Sequence, residues 1–187
     1  MRGLMFNYLL TYIEDAYDYP FLDEMIEGSA LLNDGSFADG GLYPDEELIR
    51  FIGIVSEKLD IRLEDFLGQF GEWLFNPLFL KLKTIYNLDS YRQSTIKNSF
   101  DFIAMLNTIH YKEVVKLYPD SDFPHFDVLS RSDNELLIEY RSQRKLHHLA
   151  KGMLIGCGTY FNERLNIEME PSEDNESMKF TIRKTLS

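Results

Sequence analysis

The sequence predicts an α+β fold: an N-terminal helical lobe, then a second lobe with one long helix and a small antiparallel sheet of about four strands. Two observations carry this. As far as residue 118 the apolar side chains recur at the period of a half-buried helix. Beyond residue 119 the period shortens to two over short runs separated by polar turns, with a single helical run between the second and third. A chain of 187 residues, 44% hydrophobic with 14 Phe and 11 Tyr, has the material for one domain with an aromatic interior.

Residues 2–16 set Leu4, Met5, Tyr8, Leu9, Tyr12 and Ile13 at helical spacing, with Glu14 and Asp15 on the polar side. A short helix follows over 21–27. Gly28, Gly35, Gly40 and Gly41, among Asn33, Asp34, Ser36 and Asp39, mark a loop. Tyr43-Pro44-Asp45-Glu46-Glu47 starts the next helix, since proline suits a first turn and acids suit the positive end of the dipole. It runs through Leu48, Ile52, Ile54 and Val55 to about residue 59. The helix from 62 carries Phe66, Phe70, Trp73, Leu74 and Phe75, enough bulk for burial on most sides, and Asn76-Pro77 predicts a kink or break before helix resumes over 78–86. A connection over 87–94 leads into the long helix, 99–118. Loop residues 119–124 then precede strands over 125–129 and 135–140, joined by Ser132-Asp133-Asn134. Helix 146–161 follows, in which Gly152, Gly156 and Gly158 permit close packing. Strands over 165–170 and 178–184 flank the acidic turn 171–177.

Charge narrows the classes of partner. With 19 Lys+Arg against 31 Asp+Glu the net charge is −12, which disfavours nucleic acid and anionic membrane surfaces, both polyanions, and suits a basic protein partner. Cys157 is the single cysteine, so no disulfide framework forms within the chain; its place in a glycine-rich helix makes it a small packing residue. The N-terminal stretch meets acids too early for a signal peptide, and no apolar run approaches the length of a membrane span, so a cytoplasmic protein is expected. Gly-x-Ser-x-Gly, His-Glu-x-x-His and P-loop patterns are all missing, and no enzymatic activity is expected.

On the long helix Phe102, Ile103, Leu106, His110, Val114 and Leu117 fall close to one stripe. A histidine in an apolar face has two readings: a core residue satisfied by a neighbouring acceptor, or a neutral imidazole offered to a transition metal. The spacing alone leaves both open.

Three stretches bear on the choice: the opening MRGLMFN, then LNTIHYKEVVKLYP with FPHFDV after it, and Tyr140-Arg141-Ser142-Gln143-Arg144. Together, in this order, they resemble the H-NOX family, the haem-nitric oxide/oxygen binding domain of soluble guanylate cyclase and of bacterial sensors; the last is its Tyr-x-Ser-x-Arg motif. The resemblance spans essentially the whole chain, with a distal helical lobe over about 1–85 and a proximal lobe over about 86–187. It implies a ferrous haem b with His110 as the axial ligand of the iron. Tyr140, Ser142 and Arg144 would hold a propionate, Pro124 would press on the macrocycle, and Met5 would line the pocket. One spacing departs from the family pattern, in which the ligand precedes the tyrosine of Lys-Leu-Tyr by seven residues. Here Tyr111 holds that place and His110 stands one residue earlier, a turn of about 100° on a regular helix. A π-bulge would absorb it, and tyrosinate is the rival ligand. His125, His147 and His148 are expected at the surface.

By the same resemblance Leu149, Leu9 and Leu74 occupy the positions of the distal Tyr, Trp and Asn that retain O₂ in O₂-binding relatives. Leucine donates no hydrogen bond, so the expectation is a nitric oxide sensor that also takes CO and forms little or no O₂ complex; a Tyr8 hydroxyl turned inward would reverse that. The structural zinc of many bacterial relatives is not expected, since only His147 matches a ligand position and 170–177 contain neither Cys nor His. The resemblance further implies signalling by release of His110 and relative movement of the lobes, heard by a sensor histidine kinase or a cyclic-di-GMP synthase or phosphodiesterase. The alternative is a haem-free or redox-responsive interaction module on the same fold.

Overall fold

In the structure, a computed structural model that describes residues 1–86, 96–111, 123–173 and 176–185, seven helices and a four-stranded antiparallel sheet realise the α+β architecture. The chain divides into two compact units, Met1–Phe70 and Gly71–Ser187.

The first unit holds α1 (Gly3–Tyr17), α2 (Tyr19–Ser29), a 3-10 turn (Leu32–Gly35), α3 (Asp45–Lys58) and the start of α4 (Leu63–Tyr86). Asp18 caps α2 by accepting the Phe21 N–H at 2.9 Å, and the Asp45, Glu46 and Glu47 carboxylates occupy the first turn of α3 as expected. Phe6, Leu9, Ile13, Phe51, Ile52 and Phe66 are fully buried here. Gly3 is demanded by contact: a Cβ there would lie 2.1 Å from the Ala38 carbonyl oxygen. The Gly3 N–H donates to Gly41 O at 2.9 Å and the Asn7 amide to Phe37 O at 3.0 Å, so the loop lies directly on the start of α1.

In the second unit α4 continues through Pro77, where the sequence predicts a kink or break. Phe75 and Phe79, on either side of the proline, are 5.5 Å apart, stacked and buried in one core, and that burial outweighs the lost backbone hydrogen bond. The predicted long helix 99–118 is instead α5 (Ser99–Ala104), a turn at Met105, and α6 (Leu106–Ile109), followed by π-helical backbone at His110 and Tyr111. The rest of that helix, the connection 87–94 and the loop 119–122 lie outside the described residues.

Strands β1 (His125–Arg131), β2 (Glu135–Arg141), β3 (Leu165–Pro171) and β4 (Ser177–Lys184) stand in the order β1-β2-β4-β3. Alternation puts Leu136, Ile138 and Tyr140 of β2 beside Phe180 and Ile182 of β4 on one apolar face. Helix α7 (His147–Tyr160) contributes Leu154 and Cys157 to the same core. Its glycines do permit close packing: Cβ atoms added at Gly71 of α4 and Gly156 of α7 would fall 2.3 Å from Leu149 O and 2.5 Å from Glu72 O. No helix among the described residues is long and apolar enough to cross a membrane.

Candidate functional site

His110 follows α6 at the π-helical turn, with its Nδ1 buried and without a hydrogen-bond partner among the described residues. The Phe123 ring stacks on the imidazole, centroids 5.6 Å apart and 26° between planes, and Phe126 lies 6.2 Å away. Burial pushes the imidazole down from 6.5 to about 4; the Pro124 backbone opposes this in part and the charge of His125 adds to it. The side chain is therefore neutral at physiological pH, its metal-binding form. Tyr111, the rival ligand, is 77% exposed. His110 and Tyr111 both have π-helical backbone.

The helix carrying His110 is held to the sheet by a residue the sequence does not single out. Asn107 accepts the Phe126 N–H at 2.8 Å and donates to the Phe126 carbonyl at 3.0 Å, so its amide pairs with the β1 backbone as a neighbouring strand would. Half-buried Pro124 leads into the same strand, so the structure brings His110 and Pro124 together. Phe126 in turn meets Tyr140 at 5.2 Å.

The Tyr-x-Ser-x-Arg stretch runs from the end of β2 into the turn after it. Strand β2 stops at Arg141, Tyr140 is 4% exposed between Phe126 and Phe180, and Ser142 and Arg144 belong to the turn that follows. There the Ser142 hydroxyl accepts the Arg144 N–H at 3.3 Å, and Lys145 takes a left-handed φ of 52°. Arg141 turns outward to Glu139 and Asp127. Leu74 and Leu149 are buried in this second unit, whereas Leu9, fully buried, and Met5, half-buried, sit one helical turn apart on α1 in the first. Of the other histidines, His125 is exposed, while His147 and His148 are half-buried at the start of α7 with ring centroids 4.6 Å apart, short of the surface placement expected.

A haem asks for a neutral imidazole with an available ring nitrogen, apolar and aromatic walls, and a cation for its carboxylates. The buried, unpartnered nitrogen of His110, the rings of Phe123 and Phe126, and half-buried Arg144 fit that set. Among the described residues no group of three or more His, Cys, Asp or Glu could hold a bare metal ion. The Glu139 carboxylate instead accepts from Ser172 and Ser177 at 3.0 and 2.9 Å across the β3–β4 turn, and its pairing with Arg141, aided by these hydroxyls, holds it down at about 2.

Comparison with known proteins agrees. No curated protein matches the chain. Among solved structures it is similar to the Fe(II) unliganded H-NOX protein from K. algicida, at 29% identity and a TM-score of 0.81, covering 100% of this chain and 98% of that one. The H-NOX protein from S. oneidensis in the Fe(II)NO ligation state matches at 22% identity and a TM-score of 0.85, over 100% of both chains, a likeness of fold. A variant of T. tengcongensis H-NOX matches at 18% and 0.81, again in fold, covering 100% of this chain and 98% of that one. The haem-NO-binding family model covers residues 2–169, and with nearly the whole length matched the chain belongs to that family, the haem-based gas sensors called H-NOX.

Proposed function

We propose that the protein senses nitric oxide through a ferrous haem b, with His110 as the axial ligand of the iron, and passes the event to a separate protein without turning over a substrate. The observation that carries this is the His110 imidazole: neutral, packed against Phe123 and Phe126, and with its Nδ1 buried and unpartnered among the described residues. A bound haem, held by His110, would supply the iron that takes a diatomic gas. Arg144 is the cation for a propionate; Tyr140, locked between two rings, and Ser142, which shapes the turn, fix where Arg144 starts. Pro124, just before the strand that Asn107 ties to the His110 helix, would press on the macrocycle.

Leu9, Leu74 and Leu149 are all buried hydrocarbon, which supports selectivity for NO and CO over O₂. Bound O₂ carries negative charge on its outer atom and needs a donor to stay; bound NO does not. The hydrogen bonds from Ser172 and Ser177 to Glu139 support a hairpin held without zinc. Release of His110 and relative movement of the lobes would carry the signal to a sensor histidine kinase or a cyclic-di-GMP synthase or phosphodiesterase in the cytoplasm. A redox-responsive role is disfavoured: Cys157 is 1% exposed and burial pushes its thiol well above the ordinary range.

The test is an anaerobic absorption spectrum of the reduced protein, alone, with NO, and after admission of air, beside His110→Gly and Tyr111→Phe. Haem lost or rescued by imidazole only in the first variant, with no persistent oxy spectrum, is the expected result. A stable oxy complex overturns the selectivity, iron held normally in His110→Gly overturns the ligand, and a chain that takes up no haem is the interaction module instead.

A further inference from the structure

The segment that carries His110 has a second anchor, at its base. Glu163, in the connection between α7 and β3, accepts both the Ser99 N–H at 2.9 Å and the Ser99 hydroxyl at 2.5 Å through Oε2. Its Oε1 accepts from Lys184 Nζ at 2.7 Å, at the end of β4. Lys184 also lies 4.5 Å over the ring of Phe100, the second residue of α5. Ser99 is fully buried and Glu163 and Lys184 are each about one-fifth exposed, so this junction is shielded from water on the α5 side. Burial alone would raise the Glu163 carboxyl; Lys184 and the two Ser99 donors outweigh it and hold it below the ordinary range. A second carboxylate, Asp101, ties the same turn to Arg131 at the end of β1. Past α5 the helix is interrupted at Met105, and Asn107 then fastens α6 to the start of β1.

The parts therefore divide into a base pinned to the sheet and a short distal piece, α6 with the π-helical turn, that bears the imidazole. How far that piece travels depends on whether the base holds. We propose that Glu163 is a positioning residue for His110: by clamping Ser99 to Lys184 it keeps the base of the His110 segment on the sheet and limits the reach of the imidazole. This rests on His110 being the iron ligand, and Glu163 touches neither iron nor haem.

The full chain loaded with haem is compared with Glu163→Ala, Glu163→Gln and Ser99→Ala by two readouts. Amide hydrogen exchange over residues 98–104 reports the clamp directly. The iron–imidazole stretching frequency, with the five-coordinate fraction of the ferrous NO form, reports the imidazole. In Glu163→Ala exchange rises about tenfold, as for loss of a hydrogen bond to a charged acceptor, the stretch moves to lower frequency and the five-coordinate fraction grows. Glu163→Gln, which keeps a carbonyl acceptor for Ser99, recovers part of both. Ser99→Ala, which leaves the ion pair intact and serves should Glu163→Ala fail to fold, shifts both in the same direction by less. Faster exchange with an unchanged stretch and NO form overturns the positioning role while His110 stands as ligand. An absent iron–imidazole stretch in the unaltered protein overturns the ligand assignment and this inference together.

Discussion

At the scale of single residues, the Asn107 amide and the His110 imidazole carry the sharpest expectations. Asn107→Ala strips the Phe126 backbone of a donor and an acceptor at once, and leaving such groups unpaired costs about 1–3 kcal/mol, to be read from urea unfolding. Asn107→Asp keeps the acceptor but turns a carboxylate toward the Phe126 carbonyl and Asp127, so it restores little of the loss. His110 is depressed from 6.5 to about 4 in the fold. Below pH 6.5 the unfolded chain takes up a proton that the folded imidazole refuses, so the haem-free protein loses stability from about pH 6.5 down to about 4, by on the order of 3 kcal/mol. In His110→Leu that portion of the acid loss disappears, while the loss below pH 4.5 from Glu139, whose folded value is about 2, remains. A pH-stability profile that is the same in both proteins refutes the burial argument. The histidine was legible in the sequence as a polar residue on an apolar stripe. Asn107 was not, because an amide that pairs with backbone leaves no periodic trace.

At the scale of elements, the crossing of α4 and α7 is set by glycine. The Cβ of Gly71→Ala or Gly156→Ala would meet backbone oxygen rather than a yielding side chain, so each costs about 1–3 kcal/mol by calorimetry or urea unfolding. Gly53→Ala in α3 is the control: nothing lies within 4 Å of its Cβ, and lower backbone entropy in the unfolded chain raises stability by about 0.5–1 kcal/mol. Equal effects in all three would show that helix propensity, not contact, governs them. The strands and most helix ends follow from period, Pro44 and the polar turns, and stand within a residue or two of expectation. Two features depart: α4 runs on through Pro77 without a break, and the ligand helix is interrupted at Met105. Each is decided by what a distant segment packs or bonds against, which local propensity does not encode.

At the scale of the whole molecule, charge and family set the behaviour. A net charge of −12 with an isoelectric point near 4.7 means that self-repulsion protects the protein from association at neutral pH and vanishes on acidification. Light scattering should rise as pH approaches 4.7, and binding to a basic partner surface should weaken with added salt; binding insensitive to salt would rule out a charge-steered interface. The order of periodic segments, the stripe holding His110 and the two flanking motifs were enough to specify the α+β class and the family, because these depend on patterns that a linear chain displays. Folding in three dimensions decided the rest: that Nδ1 of His110 is buried without a partner among the described residues, that Tyr111 faces water, and that Asn107 and Glu163 hold the ligand segment at two points. Those facts are contacts between residues far apart in the chain, and only closure of the fold brings the partners within hydrogen-bonding reach.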